Sequence, residues 1–173
     1  GFYALALVES PDPLPKAGEV RLRVEACGVN YADGIIRMGL YESAKRLHGY
    51  PITPGFEVAG VVDALGDGVD GWRIGERAIG VTLFGGYTSS ICLPVDRVFA
   101  TPSALSSEQA AALPMVFLTA WFMAHRQVHP RAGERWLVHS AAGGVGGALL
   151  QLARLAGVEA AGVVGAAQNI GAA

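Results

Sequence analysis

Along the first hundred residues, apolar and polar side chains alternate in short runs separated by glycines. In the clearest run, 19–26, every second residue is apolar, and a period of two predicts a half-buried β-strand. Three further apolar runs predict strands at 56–62, 77–81 and 86–93. Short strands joined by glycine turns predict a small β-barrel over this part of the chain.

Helical patterns separate and follow these strands. Apolar residues at 31–38, ended by Gly39, predict a short helix. Residues 41–50 are polar and irregular and predict a loop. The segment 106–109, Ser-Ser-Glu-Gln, offers a helix N-cap with an acid in the first turn. A longer apolar segment, 114–128, predicts a helix that connects to the last part of the chain.

The strongest pattern in the chain is a strand, a turn, a helix and a second strand in close succession. Two apolar runs, 136–139 and 158–164, predict buried strands. Between them lie a turn rich in glycine and alanine, 140–147, and a segment with helical apolar spacing, 148–156. This order predicts a βαβ unit.

The turn of this unit carries candidate chemistry. Residues 141–146 read Ala-Ala-Gly-Gly-Val-Gly, which is the dinucleotide fingerprint G-x-G-x-x-G with alanine at the first position. Gly143 would let the backbone approach a pyrophosphate, and Gly146 would let the helix pack closely on the strand. The open N–H groups at the helix start would hold the phosphates. The alternative is a tightly packed βαβ unit that binds no nucleotide.

Composition narrows the possible functions. The chain is 51% hydrophobic and 16% charged, with 24 glycines, which is typical of a globular protein with a large core. A net charge of −2 without a basic cluster predicts no nucleic-acid partner, and no apolar run is long enough to predict a transmembrane segment. Only two strand signals accompany the fingerprint, whereas a doubly wound domain has about five or six. The chain is therefore expected to be the N-terminal half of a longer protein, or only the ordered part of one.

Five blocks resemble the zinc-independent quinone oxidoreductases of the medium-chain dehydrogenase/reductase superfamily, including its VAT-1-like members. The blocks are ACGVNYADGIIRMGLY, TPGFEVAGVV, GERAIG, EQAAALPMVFLTAW and VHSAAGGVGGALLQLARLAG. The resemblance implies an α/β protein with a β-barrel: a GroES-like catalytic domain at 1–113, then a linking helix and the first βαβ unit of a Rossmann nucleotide-binding domain at 114–173.

The residues argue against a metal. Zinc alcohol dehydrogenases of this superfamily use a cysteine and a histidine where this chain has Asn30 and Phe56. Glu57 remains, but one acid is a poor zinc site. The family's structural zinc needs four clustered cysteines, and only Cys92 lies in that region. We expect no bound metal.

The resemblance implies catalytic roles for Asn30, Asp33 and Tyr41. Asn30 would orient the nicotinamide or donate a hydrogen bond to the substrate oxygen. Asp33 would hold Asn30 or its loop, or would instead cap the helix that follows. The Tyr41 hydroxyl would donate to a carbonyl, or its ring would fill the barrel mouth. Ile35 replaces a second family tyrosine, which argues against a quinone as the substrate.

The cofactor prediction depends on the end of the second βαβ strand. An NAD-binding unit places an acid there for the ribose hydroxyls. Residues 163–169 contain no acid, so we expect NADPH. The expected cofactor-binding residues are Asn30, Thr119, Ala142, Gly143, Gly144, Val145, Gly146 and Gly165.

The leading hypothesis is an NADPH-dependent oxidoreductase that transfers hydride to a quinone, enone or related carbonyl without zinc. Two alternatives stay open: an enoyl reductase acting on acyl thioesters, and a VAT-1-like vesicle-associated binding protein with weak activity. The expected partner is a small-molecule carbonyl or quinone. Family resemblance also implies a cytoplasmic location and a homodimer.

Overall fold

A computed structural model describes residues 5–172 of the chain. They form two compact units that divide between Leu113 and Pro114. The first unit contains an antiparallel sheet and the second contains a parallel pair of strands, so the predicted fold class is confirmed. In the described part of the chain, no helix has both the length and the apolar character required to cross a bilayer.

The first unit is built on a five-stranded antiparallel sheet with the strand order β4-β1-β2-β3-β5. Its inner face is lined by buried aliphatic residues, among them Val20, Leu22, Val58 and Val62. The strands are β1 Glu19–Cys27, β2 Glu57–Leu65, β3 Arg77–Val81, β4 Ser90–Pro94 and β5 Val98–Ala100.

The sheet must curl, because its two edge strands are consecutive in sequence. Only the 3₁₀ turn Val95–Arg97 connects β4 to β5. Four strand spacings in a flat sheet amount to about 19 Å, whereas the four Cα steps from Pro94 to Val98 reach at most about 14 Å. The predicted barrel is thus present as a curled half-barrel, and the short strand β5 is an addition to the prediction.

Three helices accompany this sheet: α1 Tyr31–Arg37, α2 Glu42–Leu47 and α3 Ser107–Ala111. The helix α2 lies within the segment predicted to be an irregular loop, so that prediction is wrong. The helix α2 ends at Leu47, and Gly49, two residues later, takes a left-handed φ of 83°. The N-cap predicted for α3 is confirmed, because the Ser106 hydroxyl accepts a hydrogen bond from the N–H of Gln109 at 3.2 Å.

The second unit contains the predicted βαβ arrangement. The helix α4 Pro114–Trp121 continues as the π-helical segment Phe122–Val128. Two parallel strands, β6 Arg135–His139 and β7 Glu159–Val163, flank the helix α5 Gly144–Leu155. The helix begins four residues before the predicted start, so the second half of the glycine turn forms its first helical residues.

Candidate catalytic and nucleotide-binding sites

In the first unit, Asn30 is the N-cap residue of α1 and is held by two carboxylates. Its backbone N–H donates to Asp33 Oδ2 at 2.8 Å, and its side-chain Nδ2 donates to Glu57 Oε1 at 2.8 Å. The carboxylates come from different elements, since Asp33 lies in α1 and Glu57 opens β2. Both the backbone and the amide of Asn30 are therefore fixed.

Asp33 connects three segments of the first unit. This residue is only 3% exposed, and its carboxylate accepts from Asn30 N–H, from Gly55 N–H at 3.1 Å and from the hydroxyl of Tyr87 at 3.1 Å. The alternative that Asp33 is the N-cap residue is wrong, because α1 begins at Tyr31 and Asn30 is its N-cap. Asp33 is instead the third helical residue, and it holds the N-terminal loop.

Tyr87 joins the hydrogen-bond network of Asn30, Asp33 and Glu57 through Asp33. Nothing in the sequence predicted that this tyrosine lies at the candidate site. Its pKa is raised, first because burial disfavours the phenolate and then because the negative charge of Asp33 lies beside it. The hydrogen bond to Asp33 raises the pKa further. Tyr87 therefore stays a neutral hydrogen-bond donor through the physiological pH range.

Two glycines leave room for this cluster. A Cβ on Gly28 would overlap the carboxylate oxygen Oε1 of Glu57 and lie 2.5 Å from its Cγ and Cδ atoms. A Cβ on Gly55 would lie 2.6 Å from the Tyr87 ring atom Cδ1, and Gly55 also takes a left-handed φ of 99°. The side chains of Glu57 and Tyr87 thus pass directly over backbone that carries no side chain.

Tyr41, the third predicted catalytic residue, lies in an aromatic cluster rather than in the carboxylate network. Its ring packs edge-on against Phe56 at 6.1 Å and against Phe84 at 6.5 Å between centroids. Phe56 is 6% exposed, so an apolar ring fills the position where a zinc enzyme would have a ligand. Among residues 5–172, no cluster of three or more His, Cys, Asp or Glu side chains is suited to hold a metal ion.

In the second unit, the glycine turn follows directly from the carboxyl ends of the parallel strands. The N–H of Ala141 donates to the carbonyl of Val163 at 3.0 Å and extends the pairing of β6 with β7. Ser140 takes a left-handed φ of 54° and redirects the chain towards α5. Gly143 is the N-cap of α5, with an extended φ of −85°.

The glycines of the turn have different surroundings. A Cβ on Gly146 would overlap the carbonyl oxygen of Ser140, so the predicted close approach of helix to strand end is present. A Cβ on Gly144 would lie 2.7 Å from the Val116 side chain of α4, so glycine at this position lets α4 and α5 pack closely. Gly143 is exposed and its Cβ would meet only the Ser140 carbonyl, at 3.1 Å.

Apart from Asn30 in the first unit, the other predicted cofactor residues lie at or near this turn or on neighbouring elements of the second unit. Ala142 is exposed in the turn, and Val145 is half-buried in the first turn of α5. Thr119 is an exposed residue of α4, and Gly165 is exposed just after β7. Their roles in cofactor binding stay predictions, as do the catalytic roles of Asn30, Asp33 and Tyr41.

Known proteins with the same kind of domain are similar to this chain over most of its length. Residues 16–103 match the alcohol dehydrogenase GroES-like domain. The human synaptic vesicle membrane protein VAT-1 homolog-like is 40% identical over 152 residues, which are 88% of this chain and 36% of that protein.

Two solved structures are also similar. The Escherichia coli quinone oxidoreductase complexed with NADPH has a TM-score of 0.84 at 34% identity, over 95% of this chain and 50% of that one. The CurK enoyl reductase has a TM-score of 0.82 at 37% identity, over 90% and 48%. The chain thus spans half the length or less of these relatives.

Proposed function

The chain belongs to the medium-chain dehydrogenase/reductase superfamily, and from this membership we propose that the protein is an NADPH-dependent oxidoreductase that reduces a quinone, enone or related carbonyl without zinc. The observation that carries the proposal is the glycine turn at the carboxyl ends of two parallel strands, directly before α5. This arrangement is the phosphate-binding element of dinucleotide domains.

The residues of the turn fit a dinucleotide phosphate. Gly143 and Gly144 are exposed and have no side chain over the N-terminus of α5, a helix of 12 residues. The first N–H groups of a helix have no partner within it, and the helix dipole favours an anion there. We assign the pyrophosphate to this turn, with Ala142, Val145 and Gly146 completing it. Thr119 and Gly165 are proposed as further contacts of the cofactor.

NADPH is preferred over NADH in this proposal. No acidic residue follows β7 up to residue 172, so no carboxylate of this segment would repel a phosphate on the adenosine ribose. Gln168 and Asn169 are the nearest side chains with hydrogen-bonding groups in the sequence. The NADPH complex of the similar Escherichia coli quinone oxidoreductase supports the same choice.

The first unit supplies the proposed chemistry for the carbonyl. When bound, NADPH provides the hydride. Asn30 is proposed to contact the nicotinamide or the substrate carbonyl, and Asp33 fixes it in place. Tyr41 is proposed to donate its hydroxyl proton in a hydrogen bond to the carbonyl oxygen. Without zinc, such preorganised donors would stabilise the negative charge that develops there.

The test is oxidation of NADPH by the purified protein, followed by loss of absorbance with a panel of quinones and enones. We expect turnover that requires the acceptor. A protein that binds no NADPH, or binds it but reduces no acceptor on the panel, would contradict the proposal.

A second candidate is reduction of an enoyl thioester, which the similarity to the CurK enoyl reductase favours. Ile35, which stands where the quinone reductases have a tyrosine, supports this alternative. Adding a short enoyl-CoA to the panel separates the two, because the candidates differ in which acceptor gives the higher kcat/KM.

A cytoplasmic homodimer is proposed on family resemblance. The similarity to a protein named for the synaptic vesicle membrane makes membrane association the contrasting possibility. Sedimentation with and without lipid vesicles, together with analytical ultracentrifugation, tests both statements.

A further inference from the structure

The side-chain amide of Asn30 is held in one orientation by Glu57. A carboxylate oxygen only accepts hydrogen bonds, so the atom of Asn30 facing Glu57 Oε1 at 2.8 Å must be the nitrogen Nδ2. Glu57 is 1% exposed and lies at the start of β2, in the middle of the sheet. The orientation is therefore fixed from a rigid part of the fold.

The backbone of Asn30 is fixed independently. Asp33 accepts its N–H, and Asp33 is itself held by Gly55 and Tyr87. The backbone of Asn30 thus has its own support in Asp33, while the carboxylate of Glu57 contacts the side-chain amide and fixes how it is turned. Asp33 therefore holds the backbone of Asn30, and Glu57 holds its side-chain amide.

An amide nitrogen carries two hydrogens, and Glu57 takes one of them. The second hydrogen stays available, and Asn30 is half-buried rather than closed off from solvent. Asn30 can therefore donate one further hydrogen bond, and the ligand group that it suits is an acceptor. In the proposed reaction this acceptor is the carbonyl oxygen of the substrate.

Gly28 makes this contact possible. A Cβ at residue 28 would overlap Glu57 Oε1, the atom that accepts from Asn30. Gly28 does not take a left-handed φ, so its backbone alone would tolerate alanine. The only evident reason for glycine here is the passage of the Glu57 side chain.

We infer that Glu57, given clearance by Gly28, is a positioning residue that turns the Asn30 amide so that Nδ2 donates to the substrate carbonyl oxygen. This inference rests on the proposed function for its catalytic part. Its role requires an acceptor oxygen rather than a charge, so glutamine at position 57 should largely replace glutamate. No covalent step is assigned to either residue.

The first experiment observes the amide directly. In ¹⁵N-labelled protein, the Asn30 side-chain NH₂ signal is assigned by its loss in Asn30→Ala. We expect Gly28→Ala and Glu57→Leu to shift this signal and speed its hydrogen exchange, whereas Glu57→Gln retains it in large part. The control Gly34→Ala, whose Cβ meets nothing within 4 Å, should leave it unchanged. An unchanged signal in folded Glu57→Leu would overturn the positioning role, whatever the activity.

The second experiment measures kcat and KM for the best acceptor. We expect Gly28→Ala and Glu57→Leu to lower kcat about a hundredfold, the usual effect of losing one donor to a developing oxyanion, with little change in the Kd of NADPH. Glu57→Gln and Gly34→Ala should stay within about threefold, a range well inside that effect. Asn30→Ala combined with Glu57→Leu should be no slower than Asn30→Ala alone, because residues that act as one unit are not additive.

Fully additive losses in the double variant would overturn the inference, as would wild-type kcat in Glu57→Leu. If Gly28→Ala fails to fold, the Glu57 variants decide the outcome. A wild-type protein without activity would contradict the proposed function, while the amide signal still tests the positioning of Asn30.

Discussion

Gly146 of α5 packs so closely on Ser140 that a Cβ at residue 146 would overlap the Ser140 carbonyl oxygen. The same Cβ would lie 2.8 Å from the Cα of Ala141, which is also backbone and has no freedom to turn aside. This approach fixes the start of α5 against the end of β6. The conformation of the glycine turn therefore depends on the packing of α5 against the end of β6.

Gly146→Ala should lower the free energy of unfolding by about 1–3 kcal/mol, the usual cost of overpacking a tight site. The matched control is Gly147→Ala in the same helix, because its Cβ would lie an ordinary 3.7 Å from the Ala141 carbonyl. Replacing a helical glycine there should stabilise by roughly 0.5–1 kcal/mol. Urea denaturation of both variants is the measurement, and equal effects would contradict the packing argument.

Gly143→Val should weaken NADPH binding at least about tenfold, or ~1.4 kcal/mol, because its side chain would occupy the space proposed for the pyrophosphate. Gly143 has an extended φ of −85°, which valine also adopts, so the substitution adds no left-handed backbone strain. Circular dichroism should show retained structure, and fluorescence titration measures the Kd. A folded variant with wild-type affinity would mean that the turn does not hold the phosphates.

NADPH should bind more tightly than NADH, by about tenfold or ~1.4 kcal/mol. The reason is the absence of an acid after β7 in the sequence. Parallel fluorescence titrations with the two reduced nucleotides measure this ratio. Equal binding, or tighter binding of NADH, is the result that would refute the preference.

The purified protein should contain no stoichiometric zinc. Asn30 and Phe56 stand where the zinc enzymes have a cysteine and a histidine, and Phe56 is packed against two aromatic rings, so neither position carries the zinc-binding side chain. Elemental analysis after purification without chelators is the measurement. One tightly held zinc per chain would contradict this prediction.

Tyr87→Phe should lower the free energy of unfolding by about 1 kcal/mol, because buried Asp33 loses one hydrogen-bond donor. The loss should also change the response to alkali. The raised pKa of Tyr87 means that its contribution is fully present below the unfolded value of about 10 and is lost as the pH rises above it. The wild type should therefore lose stability more steeply above about pH 10 than the variant.

Thermal unfolding between neutral pH and pH 11 measures this difference. Tyr31→Phe is the control, since Tyr31 is 88% exposed. Parallel stability curves for wild type and Tyr87→Phe would refute the role assigned to the Tyr87 hydroxyl.

Local patterns in the sequence predicted most of the fold. The alternation that defines β1 and the apolar runs of β6 and β7 depend on residues close in sequence, so they were predicted within one or two residues. The sequence of α2 shows no apolar periodicity. In the structure this helix buries only Ala44, so it has no apolar face that a sequence pattern could indicate. So short a helix with one buried residue depends on the rest of the fold for its stability, and the spacing of apolar residues along the sequence cannot predict it.

The candidate site was predicted only in part. Asn30 and Asp33 lie three residues apart, and their link is a local helix-start pattern. Tyr87 is 54 positions from Asp33, and the contact of Glu57 with Asn30 spans 27. These contacts follow from how the sheet curls, which no short stretch of sequence specifies. Gly28 offered a signal, but a glycine after a strand is usually read as a turn.

The strand β1, which lies between β4 and β2, has consequences for synthesis of the chain on the ribosome. Its residues 19–23 pair with Ser90–Pro94, so one side of β1 has no partner until the chain is translated that far. At about 5–20 residues per second, this delay amounts to roughly 3–15 s. The nascent strand exposes Val20 and Leu22 during this time, both fully buried in the finished protein. Slow translation of the intervening segment, or a lack of chaperones that shield nascent chains, should therefore reduce the yield of folded protein.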